Sequence, residues 1–145
     1  MKKVLLFCFL IISFILFSYF LKPQKPTATL GSNTFYLEIA DSEKARVQGL
    51  SNREFLSENS AMLFIFPQKK IQAFWMKNMH FSLDIVWIDK DTIVDFEESA
   101  QPEGENPVKR YYSPVPVDKV IELNAGMVKK LKLQKGQKLY FQNLP

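Results

Sequence analysis

The side chains best suited to chemistry lie together in residues 71–89, an otherwise apolar segment that holds both tryptophans and the only histidine of the chain. Lys77, Asn78 and Asp84 stand within it. A lysine or an aspartate in apolar surroundings costs several kcal/mol unless it is paired or hydrogen-bonded. Two explanations are open. These groups stand at strand ends, where they reach water or bond to the backbone, or they form a polar cluster at the mouth of an aromatic pocket.

The second explanation predicts a binding site. We expect Lys77, Asn78 and Asp84, together with Arg53, to line a polar pocket beside Trp75. Ring stacking and several hydrogen-bond donors there suit a small polar ligand such as a sugar or a peptide.

Catalysis is an alternative that the same residues leave open. Lys77 in apolar surroundings would lose proton affinity and act as a base or nucleophile, whereas beside Asp84 it stays charged in an ion pair. His80 is the only imidazole base, and Ser82, His80 and Asp84 alternate along one segment, which does not allow triad geometry. The alternative functions are therefore an envelope hydrolase or isomerase that uses Lys77, Asp84 or His80, and an assembly or chaperone-like factor.

The cysteine and histidine content excludes several kinds of site. The only cysteine, Cys8, lies in an N-terminal apolar segment, so the rest of the chain has no thiol nucleophile and forms no disulfide. One histidine cannot supply the ligands of a Cys and His zinc site. The acidic run from Asp89 to Glu98 lacks the glycine and the closing glutamate of a calcium loop. We expect neither a metal nor a cofactor.

Residues 4–21 are apolar and uncharged, and they follow Lys2 and Lys3. Their length just reaches the roughly 17 to 25 residues that cross a bilayer, and they end in bulky side chains where signal-peptide cleavage needs small ones. We expect an uncleaved, single-pass signal anchor over residues 1–21, with the N-terminus in the cytoplasm and the domain outside the cell membrane, periplasmic or extracellular. Residues 22–33 contain proline and threonine and are expected to form a linker.

The positive net charge belongs to the N-terminal part of the chain. Lys2, Lys3, Lys22 and Lys25 are four of the nineteen basic residues, and all fifteen acidic residues follow Pro26, so the remainder is formally neutral. A high pI usually suggests a nucleic-acid partner. Because the excess lies on the anchor and its flank, we expect no nucleic acid. The expected partners are the membrane and a small polar ligand, glycan or peptide.

The hydrophobic pattern after the linker predicts a single, mainly antiparallel β domain over residues 34–145. We expect residues 71–89 to form a β-hairpin inside the sheet, with Trp75 opposite Ile85 or, in a register shifted by one residue, with Lys77 opposite Asp84. The other predicted strands are 34–40, 61–66 (stopped by Pro67), 92–96, 117–123 and 137–142.

Two short helices and one long loop complete the predicted domain. Asp41 or Ser42 is placed to cap a helix that Gly49 ends. Asn124 is a further candidate for ligand binding, although its simplest role is to cap a second helix, worth about 0.5 to 2 kcal/mol. Residues 97–116 hold four prolines and a glycine. Loops of this length are functional or disordered, and the aromatic and basic residues here predict that it folds over one face of the sheet.

Three short motifs carry a resemblance to a known family. The pentapeptide Phe-Trp-Met-Lys-Asn at 74–78, Leu-Asp-Ile at 83–85 and Asn-Ala-Gly at 124–126 resemble the bacterial and archaeal family called domain of unknown function 192. The resemblance implies a mainly β, jelly-roll-like antiparallel sandwich with short helices, often with a signal or anchor, and it implies no particular reaction. The chain departs from the family pattern at three positions, where glycine, threonine and proline are usual: Ala61, Met79 and Ser82.

These observations together predict a membrane-anchored extracytoplasmic β domain that binds a small polar ligand or an envelope partner without catalysis. One fold carries many functions, so the resemblance does not choose among binding, catalysis and assembly.

Overall fold

The computed structural model describes residues 12–13 and 24–145, so the predicted anchor at residues 1–21 lies almost entirely outside the described residues. Among the residues that are described, no helix has the length and apolar character needed to cross a membrane. Residues 24–145 form nine strands and two short helices. The strands are β1 (Thr27–Leu30), β2 (Asn33–Ala40), β3 (Ser60–Lys70), β4 (Ala73–Phe74), β5 (Leu83–Asp89), β6 (Thr92–Ala100), β7 (Tyr111–Tyr112), β8 (Val117–Asn124) and β9 (Tyr140–Gln142), and the helices are α1 (Glu43–Gln48) and α2 (Met127–Leu131).

Seven strands form one sheet in the order β6-β5-β8-β3-β2-β1-β9, and β4 and β7 form a separate two-stranded ribbon. Neighbouring strands are antiparallel except β2 and β3, which run parallel because α1 lies in the connection between them. A parallel pair needs such a crossover, since a tight turn can only join antiparallel strands.

The sheet curls into a half-barrel because residues 137–142 contact both of its edges. The backbone N–H of Leu139 donates to the Asp91 carbonyl at 2.7 Å, and that of Ile93 donates to the Gln137 carbonyl at 2.9 Å, next to the start of β6. A few residues later, β9 pairs with β1 at the opposite edge. The prediction of a mainly β domain with two short helices is confirmed. A single curled sheet replaces the two stacked sheets of the expected jelly-roll sandwich.

Both faces of the central strands are buried. In β5, Leu83, Ile85 and Trp87 belong to one hydrophobic cluster, whereas Val86 and Ile88 belong to the other. The second cluster fills the inside of the half-barrel, with side chains from every strand from β1 to β3 as well as from β5, β6 and β8. The first cluster covers the outer face and includes Phe74 of β4 and Tyr111 of β7. The segments that contain β4 and β7 therefore cover the outer face. This agrees with the prediction for residues 97–116 at Tyr111, whereas residues 97–100 continue β6.

The hairpin predicted for residues 71–89 is wrong. Strand β4 pairs with β7, Phe74 opposite Tyr111, and β5 pairs with β6 and β8. A strand that buries both faces needs a central place in the sheet, and β5 takes it between β6 and β8. The aromatic residues that precede β5 resemble a strand in composition because they are buried against the outer face of the sheet. Strand propensity thus reflects packing as much as strand pairing.

The bounds of β3, β6 and β9 and the extent of the linker also differ from the predictions. Strand β3 continues through Pro67 to Lys70, with a shift in register after Ile65. Proline is tolerated at such bulges because the ladder is already interrupted there. Strand β1 lies inside the predicted linker 22–33 and pairs with β2 and β9. The folded domain thus begins earlier than predicted.

The first helix forms as predicted and the second is capped differently. The Ser42 side chain accepts a hydrogen bond from the Ala45 N–H, and Gly49 ends α1 with a φ of 48°. The N-cap of α2 is Gly126, with a φ of 85° and no side-chain cap of its own. Asn124 is therefore not the helix cap, because a carboxylate from β5 satisfies the first N–H groups of α2 instead.

Candidate functional site

A cleft opens in the outer face of the domain between α1, the middle of β3 and β4. Its volume is about 180 Å³, and most of its lining is apolar. Pockets with aromatic walls and a few polar groups are typical of small-molecule sites. We call it the aromatic cleft, and the lining residues used below are Glu43, Arg46, Gly49, Phe64, Phe66, Ala73, Phe74, Trp75 and Glu122.

Three phenylalanines and a tryptophan build its apolar walls. The Phe64 and Phe74 rings meet edge to face at 4.8 Å between centroids, and those of Phe66 and Phe74 do so at 6.4 Å. Phe74 also contacts the buried Trp87 ring at 5.4 Å. Edge-to-face pairs of this kind stabilise a packed cluster by about 0.5 to 1.5 kcal/mol each. The walls are thus held by contacts that reach down to β5.

Glu122 lies in the lining of the cleft and is almost completely buried. In the sheet it stands between Met62 of β3 and Ile85 of β5. Its Oε2 atom has no hydrogen-bond partner among the described residues. Burial raises the pKa of Glu122 from 4.5 to about 8, because an ionised carboxylate loses its hydration there, while the positive charge of Arg53 acts in the opposite direction.

Helix α1 forms the mouth of the cleft, and two of its charged residues, Glu43 and Arg46, belong to the lining. The Arg46 guanidinium donates to the Ile65 carbonyl at 2.9 Å and also to the Asp41 carbonyl. It lies 5.6 Å from the centroid of the Phe66 ring. The turn at Gly49 brings the backbone close to Phe64, since a Cβ atom there would lie 3.4 Å from Phe64 Cζ.

Trp75 and Lys77 are the predicted site residues that line open space. Trp75 belongs to the aromatic cleft and also to a more open hollow of about 440 Å³, the outer hollow, whose lining includes Lys77, Pro107 and Arg110. The Arg110 guanidinium lies 4.8 Å from the Trp75 ring centroid. Trp75 therefore separates the mainly apolar cleft from a polar hollow whose charged lining residues are Lys77, Arg110 and the acid Glu105.

The Asp84 carboxylate accepts hydrogen bonds from the backbone. It is fully buried, and its Oδ1 accepts from the N–H of Ser99 at 2.8 Å and of Gly126 at 3.1 Å, while its Oδ2 accepts from the N–H of Val128 at 2.7 Å. These contacts hold the start of α2 and the irregular residue Ser99, whose φ is 53°. A carboxylate with several such bonds is satisfied without a partner cation.

Three more predicted residues also have partners within the fold. Asn124 Nδ2 donates to the Leu56 carbonyl at 2.9 Å and thereby fixes the loop before β3. Asn78 has a φ of 51°, and its N–H donates to the Gly104 carbonyl at 3.2 Å. Arg53 forms an ion pair of 2.7 Å with Glu38 on β2. The structure does not bring these side chains together around Trp75.

The candidates for catalysis also have separate partners. His80 Nδ1 lies 3.0 Å from Glu54 Oε1 at the surface, whereas Asp84 is buried against α2. Within the described part of the chain, no hydrogen bond joins His80, Asp84 or Lys77 to another of the three. Residues 12–13 and 24–145 also contain no group of three or more His, Cys, Asp or Glu side chains placed to hold a metal.

Glu122 is the site residue that sequence reasoning did not select. A signal was present, because it is the only acid in the buried run from Val120 to Leu123. An acid among strand residues that are buried on both faces is unusual, because an ionised carboxylate loses its hydration there. The sequence did not reveal that it faces a cleft, since the cleft is built by α1 and β4, which are distant in the chain.

The comparisons with known proteins agree with the motifs at residues 74–78 and 124–126. The family model of domain of unknown function 192, described as Uncharacterized ACR, matches residues 26–141. The chain belongs to this family. No curated protein matches the chain significantly.

Two solved structures resemble the domain. One is a putative transcription regulator from Sinorhizobium meliloti 1021. It has 32% sequence identity and a TM-score of 0.73, and the match covers 83% of this chain and 94% of the other. The second is a protein of unknown function from Novosphingobium aromaticivorans DSM 12444, with 27% identity and a TM-score of 0.70, covering 80% and 83%. The chain thus shares its fold with two proteins whose descriptions do not establish an activity.

Proposed function

We propose that this protein is a membrane-anchored extracytoplasmic domain that binds a small ligand in the aromatic cleft. The observation that carries the proposal is the cleft itself, where three phenylalanine rings and Trp75 surround a space that one buried polar group, Glu122, also lines. Such a site suits a ligand with an apolar body and one polar end. Its position on the outer face, away from the backbone contacts of Asp84, leaves the fold intact when a ligand enters.

The envelope hydrolase or isomerase is less well supported. A general base and a nucleophile need to lie within hydrogen-bond reach of each other or of one substrate atom. His80 pairs with Glu54 and Asp84 pairs with backbone amides. The chaperone-like alternative would rest on exposed large apolar side chains, which include Tyr36 of β2, Phe55 of the loop before β3 and Tyr140 of β9.

A glycan or a peptide is a second candidate ligand, favoured by the outer hollow. Trp75 offers a ring for stacking there, and Lys77 and Arg110 supply hydrogen-bond donors. The polar part of a larger ligand would fit this space while its apolar part enters the cleft. A nucleic-acid partner is not favoured for this chain, because its residues after Pro26 carry no net charge.

Binding is tested with probes that share a phenylalkyl body and differ in their polar ends: 2-phenylethanol, 2-phenylethylammonium and 3-phenylpropionamide. We expect saturation-transfer NMR with the full-length chain to detect at least one of them. Ala73 lies at the cleft, whereas Ala125 is exposed in the turn before α2, outside it. Ala73→Phe should abolish the signal and the matched variant Ala125→Phe should retain it. No signal from any probe, or equal signals from both variants, would contradict the proposal.

The proposed location depends on residues 4–21 and on Lys2 and Lys3. In cells, the full-length chain should stay with membranes after extraction at high pH. Added protease should digest the domain when the outer barrier is opened and the cytoplasmic membrane is intact. Release of the intact chain into the soluble fraction, or protection from protease under those conditions, would overturn this part of the proposal.

A further inference from the structure

Two acids are buried in residues 24–145, and they differ in their hydrogen-bond partners. Asp84 receives three backbone N–H groups, at 2.7 to 3.1 Å. Glu122, also buried, has an Oε2 atom without a partner within the described part of the chain. Buried polar groups in folded proteins are nearly always hydrogen-bonded, so an exception needs an explanation. Glu122 differs from Asp84 in that it lines a cleft, from which a ligand can supply the missing partner.

The charges around the cleft do not neutralise Glu122. Arg53 acts on it only through its electric field and forms its own ion pair with Glu38. At the mouth, Glu43 and Arg46 carry opposite charges and cancel each other. The neighbours of Glu122 in the sheet, Met62 and Ile85, are apolar. When Glu122 is ionised, its charge is therefore the uncompensated formal charge of the cleft.

The aromatic walls favour a cation over a neutral group. The faces of phenylalanine and tryptophan rings attract ammonium groups, by about 0.5 to 2 kcal/mol depending on burial. Phe66 already receives the Arg46 guanidinium at its outer side, 5.6 Å from the ring centroid. Phe64 and Trp75 line the same cleft as Glu122.

We propose that the ligand of the aromatic cleft is an organic ammonium ion whose charged end pairs with Glu122 Oε2 while its apolar body lies among Phe64, Phe74 and Trp75. This inference rests on the proposed function of the cleft and gives its ligand a chemical class. No covalent step is involved. At neutral pH, Glu122 releases its proton when the ammonium enters, because burial holds its pKa near 8 without a partner and an adjacent cation favours the ionised form.

The test is isothermal titration of the full-length chain in lipid nanodiscs with 2-phenylethylammonium, 2-phenylethanol and 3-phenylpropionamide. We expect the ammonium probe to bind more tightly than the alcohol by on the order of tenfold, as charge-assisted bonds are stronger than neutral ones. Its affinity should rise between about pH 6 and about pH 9 as Glu122 ionises, since the probe remains largely protonated up to that pH.

Glu122→Gln provides the decisive variant, because it keeps the shape of the side chain and removes its charge. It should weaken the ammonium probe by on the order of tenfold and leave 2-phenylethanol within about twofold. Glu98→Gln makes the same charge change at an exposed position of β6 and should change neither probe. A Glu122→Gln chain that still binds 2-phenylethanol is folded, so loss of folding cannot imitate the expected result.

The remaining outcomes separate this inference from the proposed function. If all three probes bind with similar affinity and Glu122→Gln changes none of them, the cleft binds ligands and the ammonium class is wrong. If the amide binds best and weakens as the pH rises, protonated Glu122 donates a hydrogen bond to a neutral acceptor, and the ammonium class is again wrong. If no probe binds, both proposals fail.

Discussion

Replacing Glu122 by glutamine should change how the stability of the protein depends on pH. In the unfolded chain this carboxyl loses its proton near its ordinary pKa of 4.5, whereas in the folded protein burial holds the pKa at about 8. Between those values the folded state binds more protons than the unfolded state, so raising the pH favours unfolding. Since one pKa unit corresponds to about 1.4 kcal/mol, the loss is about 3 kcal/mol at pH 7 and about 5 kcal/mol above pH 8.

The Glu122→Gln variant cannot ionise and therefore lacks this loss. Its amide adds an offset that is constant with pH, so the gap between the two stability profiles is the quantity to measure. From about pH 4 to about pH 7 we expect the gap to shift by about 3 kcal/mol in favour of the variant, which is a large part of the 5 to 15 kcal/mol of a typical domain.

The assay is urea unfolding of both full-length chains at a series of pH values, followed by tryptophan fluorescence and accepted only where the denaturant slope is unchanged. Other carboxyls contribute equally to both profiles. The hydrogen bond from Thr92, for example, lowers the pKa of Asp91 in either protein. Two parallel profiles would refute the assignment of an unpaired, buried carboxyl to Glu122, whereas Glu98→Gln should run parallel to the unmodified chain.

Three further substitutions test how the cleft is supported, each by the free energy of urea unfolding. Asp84→Asn puts an amide NH₂ group where an oxygen accepts from backbone N–H groups, and it should destabilise the domain by about 2 to 3 kcal/mol. A loss of stability below about 0.5 kcal/mol would contradict the role given to Asp84. Gly49→Ala places a side chain at a φ of 48° and should lower the free energy of unfolding by about 1 to 2 kcal/mol. It should also weaken probe binding, and unchanged binding would show that this turn does not shape the cleft. Asn124→Ala should cost about 1 kcal/mol through the lost bond to Leu56, with Asn106→Ala, in the exposed loop, as the neutral control.

The elements that could be predicted from sequence are those whose local signals agree with their final environment. The strand at 34–40 alternates, and α1 has a serine cap and a closing glycine, so both form where expected. The hairpin prediction for residues 71–89 is wrong because aromatic content does not by itself imply that two segments pair as strands. In the structure, Phe74 packs against Trp87 on the outer face of the sheet, and the two-residue strand β4 suffices to place it there.

The site was predicted only in part, for a similar reason. Trp75 and Lys77 do line open space, and Asp84 follows the structural explanation because it bonds to backbone N–H groups. Asn124 does not cap α2 as predicted and instead bonds to the Leu56 carbonyl. In this chain, Asp84 and Asn124 therefore hold loops and the start of α2 in place. Glu122 could not be selected from the sequence, because its position in the cleft depends on α1 and β4 packing over the sheet. This packing joins segments that are distant in the chain, and no local pattern encodes it.

The carboxyl carbon resonance of Glu122, followed by NMR across pH with and without 2-phenylethylammonium, tests the central claim most directly. We predict a titration midpoint of about 8 in the free protein, because the carboxyl is buried without a partner, and a lower midpoint when the ammonium is bound beside it. A midpoint near 4.5 that the ammonium does not move would contradict the account.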